Sequence, residues 1–218
     1  MTTATEQASH PVNVAVSAQV VRVSGPRNAE AVNEALRAPV DARLRAVRDD
    51  IAAVRARLRD DDERWDDPAS ITITANALVQ GTDFVSVRYD NQPDTSLITN
   101  SSWQSFDSVT VDVRTGEALT PDEIYRPGAA GELADRWLDE EAIAGCPDIS
   151  TGSARVDLTE ENLGREVTVA FARDHASFTV ELPRLGRANA CGIPTVDLPY
   201  DELSEVLDPV LVADLTTG

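Results

Sequence analysis

The chain has 218 residues, 42% of them hydrophobic and only 5% aromatic, enough for one sizeable core in one compact unit. Thirty-eight acidic residues face 19 basic ones, a formal net charge of -19, and every basic residue is Arg; the missing Lys reads as coding bias toward GC-rich codons. That balance argues against nucleic acid, whose phosphates need a basic face, and suits either a cationic partner or a solvating surface that keeps the protein a monomer.

No stretch approaches the ~20 apolar residues of a membrane span, and no apolar h-region follows Met1. The polar residues 1–10 are expected to form a flexible stalk, left after removal of a signal peptide or lipoprotein anchor. Val12, Val14, Val16 and Ala18 then alternate as a half-buried strand does, while Val21 and Val23 continue in the opposite phase, which predicts a bulge near Gln19 to Val21. After Ser24-Gly25-Pro26, apolar positions at Val32, Leu36, Val40, Leu44, Val47, Ile51, Val54 and Leu58 make one stripe of helical spacing. Pro39 inside it is expected to kink or restart the helix, because proline lacks the backbone donor and crowds the preceding turn. The acidic run Asp60-Asp61-Asp62-Glu63 ends the pattern and reads as a solvated turn, since it lacks the alternating spacing and glycine of a calcium loop.

Ile71 to Thr74, Phe84 to Tyr89 and Ser105 to Val113 read as an antiparallel run of strands. Between the last two lies Asn91 to Gln104, a polar loop carrying Trp103. Long structureless loops in compact domains are functional or disordered, so this is the first place to look for a binding surface. Thr120-Pro121-Asp122-Glu123 is a capping box that opens a short helix, and a second helix spans Gly131 to Ala144 with Leu133, Trp137 and Leu138 on its buried side. Val167 to Phe171 and Phe178 to Leu182 form a hairpin around Arg173 to Ala176. A last strand runs from Thr195 to Leu198 and a terminal helix from Tyr200 to Leu207. The segments divide as a stalk (1–10), an N-terminal strand-helix-strand part (11–80), a C-terminal part (81–209) and a tail (210–218). Together they predict an α+β fold, a mainly antiparallel sheet with the long helix on one face and short helices near the C-terminus.

Cys146 and Cys191 lack the CxxC spacing of a zinc site or a thioredoxin-type motif and are expected to pair. The loop so closed would be roughly 45 residues, for which chain entropy gives about 4 kcal/mol. Such a bond persists outside a reducing cytosol, which places the chain in a secreted or extracytoplasmic setting.

Val111-Asp112-Val113-Arg114-Thr115-Gly116, followed by Leu119 and then Ile124-Tyr125, resembles the C-terminal domain shared by RsiV-type anti-sigma factors, some peptidoglycan deacetylases and a secreted immunogenic antigen of mycobacteria. The ending Val196-Asp197-Leu198-Pro199-Tyr200-Asp201-Glu202-Leu203 is similar to that family's tail, and the match covers roughly Phe84 to Leu207. Each matching residue has a structural use: Gly116 supplies a positive φ, Pro199 ends a strand, and the acids after Tyr200 sit at the positive end of a helix. The motifs therefore report fold. The resemblance implies an exported recognition domain, since RsiV recognises lysozyme, a small cationic protein; the secreted antigen-like branch matches best in length and arrangement.

Catalytic groups are scarce. His10 lies in the stalk, His175 in the hairpin turn, and no Gly-x-Ser-x-Gly elbow presents a nucleophile. The 38 acidic residues leave a two-carboxylate hydrolase as the alternative, to be recognised by a cleft carboxylate of raised pKa. A purely structural envelope protein is a third reading. The expectation is a non-catalytic binding domain with no cofactor and no metal, its partner lysozyme, another cationic extracellular protein or cell-wall material. Asn100, Ser101, Ser102 and Trp103 are the candidate binding residues. Asn100-Ser101-Ser102 also matches a glycosylation sequon, read here as a plain loop tract; Trp65 and Trp137 are expected to face the core.

Overall fold

The computed structural model describes residues 2–9, 14–56, 69–80, 83–94, 104–135, 158–188 and 191–217. A five-stranded sheet has the order β1(Thr2–Ser9), β2(Val14–Arg22), β3(Ala69–Gln80), β4(Phe84–Asp94), β5(Ser105–Asp112). All neighbours are antiparallel except β2 and β3, which run parallel. Parallel neighbours need a crossover, and helix α1(Ala29–Arg55) is the element between them. Its stripe is buried as its spacing predicts: Val32, Leu36, Val40, Leu44 and Val47 pack with Val16, Ile71, Val87 and Val111 of the sheet. The side chains of Ile51 and Val54, and all of Leu58, lie outside the described residues. The helix passes through Pro39 without restarting.

Polar groups fix where α1 lies. The Asn33 amide receives the Val23 N–H at 2.7 Å and donates to the Val23 carbonyl at 2.9 Å, tying the helix start to the end of β2. Tyr89, fully buried, donates its hydroxyl to the Leu36 carbonyl at 2.7 Å, and burial pushes its phenol up to about 12.

Three expectations for this half need correction. Residues 2–9 are a strand, not a stalk, paired with β2 from Thr2↔Arg22 to Ser9↔Ala15. An edge strand is held through its backbone from one side, so a threonine-rich polar sequence suffices. That same unbroken ladder rules out the bulge at Gln19 to Val21: Val20 and Val21 are both buried, so the strand is covered on both faces there and the hydrophobic phase changes without a slip. The irregularity falls instead in β3, between Ala77 and Val79. Finally, β4 continues to Asp94, and Asn91 is a buried ladder residue opposite Ser105, not the start of a loop.

The second sheet has the order β6(Val167–Phe171), β7(His175–Val180), β8(Thr195–Pro199), antiparallel throughout. Phe171, Phe178, Leu182 and Leu203 centre its core, which also takes in Phe84 of β4. Alternation along β4 explains the sharing: Phe84 and Ser86 face this core while Val85, Val87 and Tyr89 face α1. At the junction the buried Ser86 hydroxyl accepts the Phe171 N–H at 2.9 Å and meets the Thr110 hydroxyl at 2.8 Å.

The short elements follow local chemistry. Helix α2(Pro121–Ile124) starts at the capping box, where the Glu123 carboxylate takes both the backbone N–H and the hydroxyl of Thr120 at 2.8 Å. Helix α3(Ala129–Leu133) buries Leu133; Trp137 and Leu138 lie outside the described residues. The expected terminal helix at Tyr200 to Leu207 is only a 3-10 turn, Tyr200–Glu202, after which Leu203, Val206 and Leu207 are buried. The residues expected to form a tail are helix α4(Pro209–Thr217). Asp208 caps it, accepting from the Val210 and Leu211 amides at 2.8 and 3.2 Å, and Pro209 occupies the first turn, where its missing donor costs nothing.

Candidate functional site

Among the described residues, a cleft of about 210 Å³ opens where several elements end together. The second half of α1 contributes Arg43, Val47 and Asp50, and the facing ends of β4 and β5 contribute Pro93, Gln104 and Ser105. The 3-10 turn Leu182–Leu185 that follows β7 supplies Pro183 and Arg184, with Glu181 just before it, and Ile193 completes the wall.

Each lining guanidinium is matched. Arg43 forks onto Asp107 of β5, Nε to Oδ2 at 3.0 Å and Nη2 to Oδ1 at 3.1 Å, and Asn91 donates to the same carboxylate at 2.8 Å. Arg184 Nε lies 2.6 Å from Glu181 Oε2. The Glu181 side chain is only 6% exposed, and burial raises its pKa above the ordinary carboxylate range despite the opposing pull of Arg184, Arg43 and the Phe106 N–H. Asp50, at the exposed side of α1, pairs with no cation among the described residues.

Glu181 has a pH signature with a definite sign. A carboxyl whose pKa is raised by folding adds stability below its unfolded value of about 4.3 and loses it as pH rises through the folded value. Wild type is therefore expected to lose stability relative to Glu181→Gln on going from about pH 4 to about pH 7. Urea midpoints of the two proteins across that range check it, and a difference that stays flat contradicts it.

The candidate residues Asn100, Ser101, Ser102 and Trp103 lie outside the described residues, yet Pro93 and Gln104, on either side of that segment, both line the cleft. His175 opens β7 instead of standing in a turn. Its Nδ1 is 2.8 Å from Asp174 Oδ1 and its Nε2 3.8 Å from Asp197 Oδ1. The buried Ser177 hydroxyl donates to Asp197, its partner across the ladder, and not to the imidazole, so these three residues are not joined as a nucleophile and its base. Cys191 packs partly buried against the second core, while Cys146 lies outside the described residues, as do Trp65, Trp137 and the acidic run Asp60 to Glu63. No group of three His, Cys, Asp or Glu side chains suited to a metal ion occurs among the described residues, and no described helix is long and apolar enough to cross a membrane.

A larger recess of about 390 Å³ lies beside α2, but two of its three charged lining residues serve the fold. Glu160 accepts the Gly128 N–H at 3.1 Å, and Arg126 donates to the Ser204 carbonyl at 2.6 Å. The motif Asp112-Val-Arg-Thr-Gly116 is likewise structural. Asp112 accepts the Arg114 N–H at 2.7 Å and its guanidinium at 3.0 Å; burial works against its charge, but these bonds hold its pKa below the usual range.

The chain has known structural counterparts. A crystal structure of a DUF3298 family member from Bacteroides fragilis superposes with a TM-score of 0.61 at 12% identity, over 100% of this chain and 96% of that one. A DUF3298 family protein from Pseudomonas aeruginosa gives 0.55 at 15% identity, over 96% and 94%. The fold is that of DUF3298 family proteins. At such identities the likeness is one of fold alone. No family model matches the sequence, and no curated protein does.

Within the DUF3298 fold, the cleft residues Arg43, Asp50, Glu181 and Arg184 are the ones that sequence reasoning passed over. The available signal was Glu181-Leu-Pro-Arg184, a charged pair three residues apart directly after β7, which is buried from Ala176 to Val180.

Proposed function

We propose that the chain is an exported, non-catalytic recognition domain that binds a protein or cell-wall component outside the cell through this cleft and the adjoining residues 95–103. The observation that carries the reading is the cleft itself: its lining combines the apolar Val47, Pro93, Pro183 and Ile193 with a few fixed charged groups, which is the make-up of a recognition site. Trp103, next to the lining residue Gln104, would add the aromatic anchor that dominates many interfaces. The resemblance to RsiV-type domains makes lysozyme the first partner to try. The -19 charge would attract such a cationic partner at long range, and the attraction should fade as the Debye length shrinks to about 8 Å near physiological ionic strength. Titration with lysozyme and with cell-wall fragments at low and moderate salt, using wild type and Trp103→Ala, tests this. Salt-sensitive binding weakened at least tenfold by the substitution is expected; unchanged binding removes Trp103 from the site.

Glu181 favours a second reading, a hydrolase acting on cell-wall glycans with this buried carboxyl as the acid. Its commitment to Arg184 and to the Phe106 N–H fits a wall residue better than a proton donor. Turnover of glycan fragments abolished by Glu181→Gln would reverse the order of the two readings. The export proposal includes a Cys146–Cys191 bond, which predicts a mass increase of two hydrogens on reduction.

A further inference from the structure

The walls of the cleft carry an uneven charge. Arg43 and Arg184 bring two positive charges, while Asp50, Glu181 and the Asp107 that holds Arg43 bring three negative ones. Both guanidiniums are spoken for, Arg43 in a two-bond fork and Arg184 at 2.6 Å, and so are their carboxylates. The remaining charge is that of Asp50, which has no cationic partner among the described residues. Size narrows the occupant. At about 210 Å³ the cleft falls below the roughly 300–1,000 Å³ of small-molecule sites and is on the scale of one long side chain.

We propose that the cleft receives a single arginine or lysine side chain projecting from a protein partner. The stem would lie against Val47, Pro93, Pro183 and Ile193, and the cationic head would pair with Asp50. This rests on the cleft being the binding site and adds what enters it. The arrangement also rejects the alternatives by charge. An anion would meet Asp50 where the charge of each described lining guanidinium, Arg43 and Arg184, is already offset by a carboxylate, and a neutral residue would cover the apolar lining while leaving Asp50 unmatched.

The test uses the intact chain and two small probes, N-acetyl-arginine amide and N-acetyl-citrulline amide, which have nearly the same shape and differ in charge. Binding is followed by the backbone amide resonances of Gln104 and Ile193. The arginine probe is expected to shift both and to bind at least tenfold more tightly than the citrulline probe, with that preference lost in Asp50→Asn. Asp50 is exposed, so the variant should fold, and the comparison of probes on wild type does not depend on it. Equal binding of the two probes overturns the cationic assignment while leaving the cleft a binding site. Failure of both probes to shift those resonances also overturns it, and the lysozyme and cell-wall titrations then judge the binding reading separately.

Discussion

Phe178→Ala is expected to destabilise the chain by about 3–5 kcal/mol, the usual cost of truncating a buried Phe. Phe178 is 1% exposed in the second core, which also holds the fully buried Phe171, Val180 and Leu182, so the cavity would open inside a closed core. The more informative result is the shape of the unfolding curve. The two cores share β4, with Phe84 in one and Val85 and Val87 in the other, and the buried Ser86 hydroxyl joins β6 to that strand. Domains coupled in this way should unfold as one cooperative unit. Leu36→Ala, in the first core, should therefore shift the same single transition, by about 2–5 kcal/mol. Two separate transitions, each moved by only one of the substitutions, would show that the halves fold independently.

Gly116→Ala is expected to be nearly as harmful, for a different reason. Gly116 has φ +81°, and a Cβ placed there would stand 2.6 Å from the Ala31 Cβ of α1. Left-handed backbone costs an alanine about 1–2 kcal/mol and overpacking about 1–3, so a loss of about 2–5 kcal/mol should appear in urea unfolding. Gly25 is the control: its φ is +108°, but nothing lies within 4 Å of the added Cβ. Gly25→Ala should show the backbone cost alone, and equal losses at the two positions would remove the α1 contact from the explanation.

Features legible in the sequence share a property, that one residue's neighbours in the chain are enough to define them. The stripe from Val32 to Val47, the hairpin of β6 and β7, the capping box at Thr120 and the Thr115-Gly116 turn are set by local spacing and backbone chemistry. Where tertiary packing decided, local reading went astray. The polar edge strand β1 is held by pairing alone, and Val20 and Val21 are both buried because the strand is covered on two sides. Helix α4 was legible in principle, since Asp208-Pro209 is a cap followed by a first-turn proline, but the acids after Tyr200 read as a helix start and drew the helix too early. The cleft draws on α1, β4, β5 and the turn after β7, segments from Arg43 to Ile193 in sequence. Spacing carries no trace of such an assembly. Asn91 illustrates the point: a polar residue in a polar stretch reads as loop, whereas its burial follows from Asp107 and Arg43 lying beside it.

The claim that the cleft is a recognition site is tested most directly by filling it. Gln104 lines the cleft, is exposed and makes no contribution to either core, so Gln104→Trp should occupy the cavity without unfolding the chain. Titrated with lysozyme and with cell-wall fragments at low salt, wild type should bind at least one of them, and the variant should bind it at least tenfold more weakly with an unchanged unfolding midpoint. Wild-type binding that the tryptophan leaves intact would place recognition elsewhere on the molecule.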